Sequence, residues 1–380
     1  MTVSSAYSLG IEEEFFVYEQ RTRRAASRGN ARFFAAAKER LGDAVMHEML
    51  QSQIEVATPP CATTSEARRH LAYYRRVLGE EAERHGLGIA ATGTFPLAFW
   101  REQAATPKAR YRRLMADLQA VGQRNMFCGM HVHVAIEDPD TRIALMRRII
   151  PYVPLLQVLS TSSPFWQGRP TGLRGYRLTA YGELPRTGLP ELFRTKAEYD
   201  DYVAALVSAG IIPDASHIWW SLRPSLANPT LELRACDTCT RLDDAIAIAA
   251  LYRCLVRAHD RDRDLNAGFD RVGRAITSEN KWRAERHGVA ATFVDPFSRR
   301  AMTAGDWLAE VMTLVAPDAA ALHCETEIAD LPRIIADGTS ADTQIRIYET
   351  AHAESPHRRS ALAQVVDWAG RQTVAAGAVP

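Results

Sequence analysis

Four short stretches of the chain place reactive side chains two residues apart: Glu12 and Glu14, Gln53 and Glu55, His131 and His133, and Glu232 and Arg234. Side chains of an extended segment alternate between faces, so each pair shares one face while its apolar neighbours take the other. Beside the first pair those neighbours are Ile11, Phe15 and Val17, with Glu13 among them; beside the third they are Val132, Val134 and Ile136. Two carboxylates held close disfavour each other's ionised form, and a divalent cation is the usual way to keep both deprotonated. Carboxylates with an occasional imidazole are hard donors suited to Mg²⁺ or Mn²⁺, and an arginine beside them suits a phosphoryl group. The pattern therefore implies nucleotide-dependent chemistry. The chain has no Gly-x-x-x-x-Gly-Lys-Ser/Thr loop and no Gly-x-Gly-x-x-Gly after a strand, so ATP would be held by metals and arginines.

A mostly antiparallel sheet with helices behind it would gather these four polar faces into one cavity. The strands are expected over residues 8–18, the last part of 47–58 with Gln51, Gln53 and Glu55 on one face, 125–136, and 230–236. Pro59-Pro60 ends the second, and residues 88–94 read as a further buried strand. Apolar spacing predicts helices over 33–41, 65–85, 107–121 with Gly122 after it, 195–210 with a capping box at Thr195 and Glu198, and 243–264. Residues 138–159 read as a buried helix kinked at Pro151 and Pro154, and the chain beyond 264 as helices separated by Pro or Gly. Residues 160–190 are irregular and offer Arg174, Tyr176, Arg177 and Arg186 for gripping anions.

Lys plus Arg is 46 and Asp plus Glu is 45, so no charge imbalance draws the protein to nucleic acid or to an anionic membrane. Small-molecule substrates are expected instead. No linker or repeat divides the chain, which reads as one catalytic domain over 1–380. Six scattered cysteines without a leader pattern suggest reduced thiols in the cytoplasm, and Cys236-x-x-Cys239 has no partner pair for zinc. No apolar run approaches the roughly 20 residues that cross a bilayer.

Each pair also has a plainer reading: protective charge on an edge strand, sheet histidines with structural hydrogen bonds, or Glu232 and Arg234 neutralising one another. Their joint occurrence favours a shared site. A His-x-His pair with carboxylates would also serve a metal-dependent hydrolase that activates water. A non-catalytic binder of nucleotide or amino acid is the third class.

The motifs Gly-Ile-Glu-Glu-Glu-Phe at 10–15, Gln-Ile-Glu-Val-Ala-Thr-Pro at 53–59, Cys-Gly-Met-His-Val-His-Val at 128–134, Ser-Ser-Pro-Phe-Trp at 162–166 and Asn-Pro-Thr-Leu-Glu-Leu-Arg at 228–234 occur in that order. Together with Asn-Lys-Trp-Arg-Ala-Glu-Arg-His-Gly at 280–288, the sequence resembles the carboxylate-amine ligases, the second type of glutamate-cysteine ligase within the glutamine synthetase superfamily. The resemblance implies an α+β fold, a curved antiparallel sheet whose concave side binds ATP and divalent metals, with helices on the other face, in a homodimer. It also implies that ATP phosphorylates a carboxylate, commonly the γ-carboxylate of glutamate, and that an amine such as that of cysteine displaces phosphate. By motif match Glu12, Glu14, Glu55, His131 and Glu232 become metal ligands, with Glu48 a candidate outside the clean alternation. Arg234 would stabilise the transferred phosphoryl group, with Glu55 and Glu232 in the same catalytic set. Arg177 and His133 would contact nucleotide or substrate. Glu13 is left to the scaffold, and Glu13→Gln is expected to be mild.

Overall fold

A computed structural model describes residues 6–375, organised about the strand β1 (Leu9–Glu19). On one side β1 pairs with β3 (Gln53–Ala57); its early half also pairs with β5 (Gly129–Ala135) and its late half with β4 (Leu87–Ala90), all antiparallel. β2 (Val45–His47) lies outside β3, and β9 (Thr230–Asp237) and β8 (Leu222–Pro224) extend the sheet beyond β5. The seven-stranded sheet thus runs β2-β3-β1-β5-β9-β8, with β4 joined to β1. Two hairpins stand apart, β6 (Phe165–Trp166) with β7 (Arg169–Pro170) and β10 (Thr292–Val294) with β11 (Ala301–Thr303). The α+β expectation holds, and the four strands that carry the reactive pairs are neighbours.

One face of the sheet is buried under helices. Ile11, Phe15 and Val17 pack with Ile54, Val56, Val132, Val134, Leu231 and Leu233, and against Leu71 and Leu78 of α2 (Thr64–Arg84) and Ile246, Leu251 and Leu255 of α8 (Leu242–Arg261). The helix α2 starts where the Thr63 hydroxyl accepts from Glu66 N at 3.1 Å, and α7 (Lys196–Ser208) starts on Thr195 in the same way. The Glu198 side chain accepts from Arg194 N rather than completing a box. Outside the helical layer lie α10 (Ala304–Leu322) and α11 (Glu325–Asp337), which pack on α8.

The segment between β5 and β6 forms α4 (Pro139–Ile149), a 3₁₀ turn at Ile150–Tyr152 and α5 (Val153–Ser160), as the two prolines require. Contrary to the expectation that no run comes close, Pro139–Ser160 has the length and apolarity to cross a bilayer. Its apolar window is 89% buried within the fold, so it is a core element.

The other face changes character along β1. Glu12 and Glu14 give way on the same side to Phe16 and Tyr18, which pack with Phe95 and with Leu362, Val365, Val366 and Ala369 of α13 (Arg358–Val374). Before α13 comes α12 (Ser340–Glu354), which joins this second core through Tyr348 and Ala351. One end of this face is thereby apolar and closed, and the end bearing Glu12 and Glu14 stays polar. The remaining helices are α1 (Ala31–Leu41), α3 (Ala109–Gln123), α6 (Tyr176–Tyr181) and α9 (Arg271–His287).

Several expectations need correction. Gln51 lies in the turn before β3, where its amide donates to Ala105 O at 3.1 Å, so it does not share the face of Gln53 and Glu55. Gly122 belongs to α3 rather than following it. Pro317 and Pro332 sit inside α10 and α11, where each removes one backbone hydrogen bond without ending the helix.

Glu13 points into the helical layer and meets Arg75 of α2. Arg75 Nε donates to Glu13 Oε2 at 2.9 Å and Nη2 donates to Oε1, and both side chains are 0% exposed. The same guanidinium donates to Thr240 O at 3.0 Å and Cys239 O at 2.8 Å, tying α2, β1 and the β9–α8 turn together. A buried pair that loses one charge leaves the other stranded, typically at a cost of about 3–5 kcal/mol. Glu13 is scaffold as expected, but its replacement is not mild. Glu13→Gln should lower the unfolding free energy by about 3–5 kcal/mol in urea denaturation, and Glu13→Leu with Arg75→Met should recover most of it. A loss below about 1 kcal/mol for Glu13→Gln would contradict this role.

Candidate active site

Strand register brings the reactive pairs together. Glu14 stands opposite Glu55, Glu12 opposite His131, His133 opposite Glu232, and Glu232 opposite Arg223 of β8. Directly opposed residues on one face are within contact distance, so these pairs form a continuous polar band across five strands. A bulge between Met130 and Val132 sets two β9 residues against one of β5, next to His131 and Arg234. Glu48, in the loop after β2, joins the band without belonging to a strand.

The band divides into two donor clusters. In the first, carboxylate oxygens of Glu14, Glu48 and Glu55 lie within 4.8 Å of one another. Burial and then the charge of Glu48 push the Glu14 carboxyl up to about 8. Burial, followed by Glu48 and Glu12, pushes Glu55 well above the usual carboxylate range. Gly129 N donates to Glu14 Oε2 at 2.6 Å, and Met49 N to Glu48 Oε2 at 2.7 Å. An all-oxygen cluster whose charges are mutually repulsive fits a hard divalent cation.

In the second cluster donor atoms of Glu12, His131 and Glu232 lie within 4.8 Å. His131 Nδ1 is 2.9 Å from Glu12 Oε2, and His133 Nε2 is 3.3 Å from Glu12 Oε1. Burial opposes the Glu12 charge, yet these imidazoles outweigh it and hold the carboxyl well below its usual range. Burial, then the charge of Arg234, brings His131 down to about 4. Its Nε2 is buried with no hydrogen-bond partner among the described residues and lies 3.9 Å from Glu14 Oε1, so the neutral imidazole can ligate. Glu232 is different: its carboxylate accepts from Arg223 Nε at 2.7 Å and Nη2 at 3.2 Å and from Arg234 Nη1. Burial works against its charge, but the two guanidiniums keep it ionised. It can meet a cation only while shared with them.

Of the four anion-gripping candidates at 160–190, only Arg177 reaches this region. Its Nη1 donates to the carbonyls of Cys236 and Arg234 at 3.2 and 3.4 Å, while Nε is buried without a hydrogen-bond partner among the described residues. The guanidinium lies against Gly129, where a Cβ would stand 2.1 Å from Nη2, so only glycine admits it. Arg174 instead pairs with Asp342 at 2.8 Å. Arg186 donates to His217 O at 2.9 Å and covers the Trp219 ring, and Tyr176 packs on Trp166. The segment is held from behind by Glu285 of α9, whose carboxylate accepts from Lys281, Thr179 Oγ1 and Gln157 Nε2.

Sequence reasoning missed Arg223, because a three-residue strand ending at Pro224 is too short to show alternation. Leu222 inward and Arg223 outward was the available signal. His133 shares the face of His131, with Nδ1 2.9 Å from Thr230 Oγ1. The side chains of Cys236 and Cys239 are buried in the helical core.

The chain is an ATP-dependent carboxylate-amine ligase, as its family match and its relatives define it. Residues 8–366 match glutamate-cysteine ligase family 2, and the chain belongs to that family. It is 48% identical over 374 residues, 98% of this chain and 90% of the relative, to a Bradyrhizobium sp. (strain ORS 278) protein described as "Putative glutamate--cysteine ligase 2". A Rhodospirillum rubrum protein of the same description is 44% identical over 374 residues, covering 97% of this chain and 96% of that one. Among solved structures the fold is similar to glutamate–cysteine ligase from Francisella tularensis in complex with AMP, at TM-score 0.71 and 12% identity over 98% of this chain and 90% of that one. It is also similar to a bifunctional glutathione synthetase from Pasteurella multocida, at TM-score 0.69 and 14% identity, where it covers 97% of this chain and 52% of the larger one.

Like-charge crowding in the first cluster predicts a trade between stability and function. In chelator, Glu55→Gln should be more stable than wild type by about 1–2 kcal/mol, and Mg²⁺ should raise the melting temperature of wild type more than that of the variant. A Glu55→Gln protein less stable than wild type in chelator would contradict the repulsion.

Proposed function

We propose that this enzyme joins glutamate, through its γ-carboxylate, to the amine of cysteine or a related amino compound, using ATP and Mg²⁺. The observation that supports this most is the division of six ligand candidates from four strands and one loop into two clusters on one face, with Arg234 at their edge. The residues present fit the metals: Glu14, Glu48 and Glu55 would hold one hard cation, and Glu12, His131 and Glu232 a second. Bound there, divalent cations would offset the triphosphate charge and polarise the phosphoryl group.

The chain's own residues account for the remaining demands. A carboxylate oxygen of the substrate attacks the γ-phosphorus, ADP leaves, and an acyl phosphate forms. The amine nitrogen then attacks the acyl carbon, phosphate leaves and the amide bond is made. Arg234, its charge stabilised by Glu232 although burial opposes it, would meet negative charge that develops on the transferred phosphoryl oxygens. Arg223 holds Glu232 and so orients Arg234 through it. Arg177 and His133 would face nucleotide or substrate. The His131 ring stands between the two clusters, with Nδ1 2.9 Å from Glu12 Oε2 and Nε2 3.9 Å from Glu14 Oε1.

The hydrolase alternative loses its context, because His131-x-His133 sits in the middle of an antiparallel sheet rather than at the end of a parallel barrel strand. ADP release with Mg²⁺, ATP, glutamate and an amine panel led by cysteine tests the proposal. Wild type should release ADP and form amide in equal amounts, and Glu12→Gln should cut turnover by about 10²-fold or more while unfolding at the wild-type denaturant midpoint. ATP binding without ADP or amide from any pair would leave a non-catalytic binder and overturn the substrate assignment.

A further inference from the structure

We infer that Cys61, Glu66 and His70 form a binding site for one divalent transition-metal ion, zinc by chemistry, separate from the carboxylate face. The Cys61 thiol, a Glu66 oxygen and a His70 ring nitrogen lie within 4.8 Å of one another. Glu66 and His70 are one turn apart on α2 and so share a side of that helix. Cys61 comes from the turn just before it. Glu66 Oε2 accepts from Ala62 N at 2.8 Å, which fixes the carboxylate and leaves its other oxygen without a hydrogen-bond partner among the described residues. The His70 ring rests on Tyr74 with centroids 5.9 Å apart, and neither ring nitrogen is hydrogen-bonded to protein among the described residues. Cys61 is buried and donates to Pro59 O at 3.2 Å, whereas Glu66 and His70 are partly exposed, so an ion can enter from solvent.

The donor set decides the metal. One thiolate, one imidazole and one carboxylate are borderline-soft and match tetrahedral Zn²⁺, with water as the fourth ligand. The carboxylates of the polar face are hard and match Mg²⁺. Binding replaces the S–H bond of Cys61 with an S–Zn bond and releases the proton to solvent.

The position gives the ion a structural role. Cys61 exchanges both backbone hydrogen bonds with Leu9 at the start of β1, Leu9 N to Cys61 O at 2.9 Å and Cys61 N to Leu9 O at 2.7 Å. A metal here would clamp the first turns of α2 to the beginning of the strand that bears Glu12 and Glu14. The helix α2 already holds that strand further along through Arg75 and Glu13.

The test uses the full chain, stripped with chelator and then offered Zn²⁺ or Co²⁺ in excess Mg²⁺, with metal counted by elemental analysis after desalting. Wild type should retain one more equivalent of zinc than His70→Gln, and zinc should raise the melting temperature of wild type but not of that variant. Cobalt-loaded wild type should show a thiolate-to-cobalt absorption band that Cys61→Ser lacks, and Glu12→Gln should keep it. If Cys61→Ser fails to fold, the partly exposed His70→Gln decides alone. Equal zinc in wild type and His70→Gln, or no thiolate band in the wild-type cobalt protein, would overturn the site.

Discussion

The central strand β1 carries carboxylates on both of its faces, and the register of the sheet follows from how each is compensated. β1 turns Glu13 into the helical layer and Glu12 and Glu14 out of it, so a slip of one residue would exchange a compensated carboxylate for two uncompensated ones. Arg75 opposes that slip, because its guanidinium is fully buried and has no other acidic partner among the described residues. The pair adds little net stability over an apolar core, but it specifies register. The register in turn places Glu14 against Glu55 and Glu12 against His131.

The polar face carries two kinds of electrostatic environment. At Glu14, Glu48 and Glu55 carboxylates crowd with no arginine or lysine hydrogen-bonded to them among the described residues, so burial and repulsion favour protonation until a cation intervenes. At Glu12 and Glu232 the charge is held by imidazole and guanidinium groups already in place. Preorganised charge of the second kind needs no rearrangement when phosphoryl charge develops. The second apolar core, built on Phe16, Phe95 and α13, closes the end of the face where such chemistry would be lost to water.

The parts legible in the sequence were those with a period. β1, β3, β5 and β9 announce themselves by alternation, and their common face follows from it. Register was not legible: that Glu14 opposes Glu55 depends on turn lengths, and the β5–β9 bulge shifts the pairing by a residue. Aperiodic segments concealed direction, so Arg174 and Arg186 looked as able to bind anions as Arg177 although each is committed elsewhere. Parity alone puts Glu13 on the scaffold side of β1, and nothing in the sequence pairs it with Arg75, 62 positions away. The Cys61, Glu66 and His70 group was invisible for the same reason, since it joins a turn to a helix face.

If, as proposed, a carboxylate is phosphorylated on this face before the amine attacks, an oxygen atom must pass from that carboxylate to phosphate. Glutamate labelled with ¹⁸O in its γ-carboxylate is turned over with ATP, Mg²⁺ and the amine, and the inorganic phosphate is analysed by mass spectrometry. An acyl-phosphate route carries one labelled oxygen into phosphate for each amide formed. Amide formation with unlabelled phosphate would contradict the account.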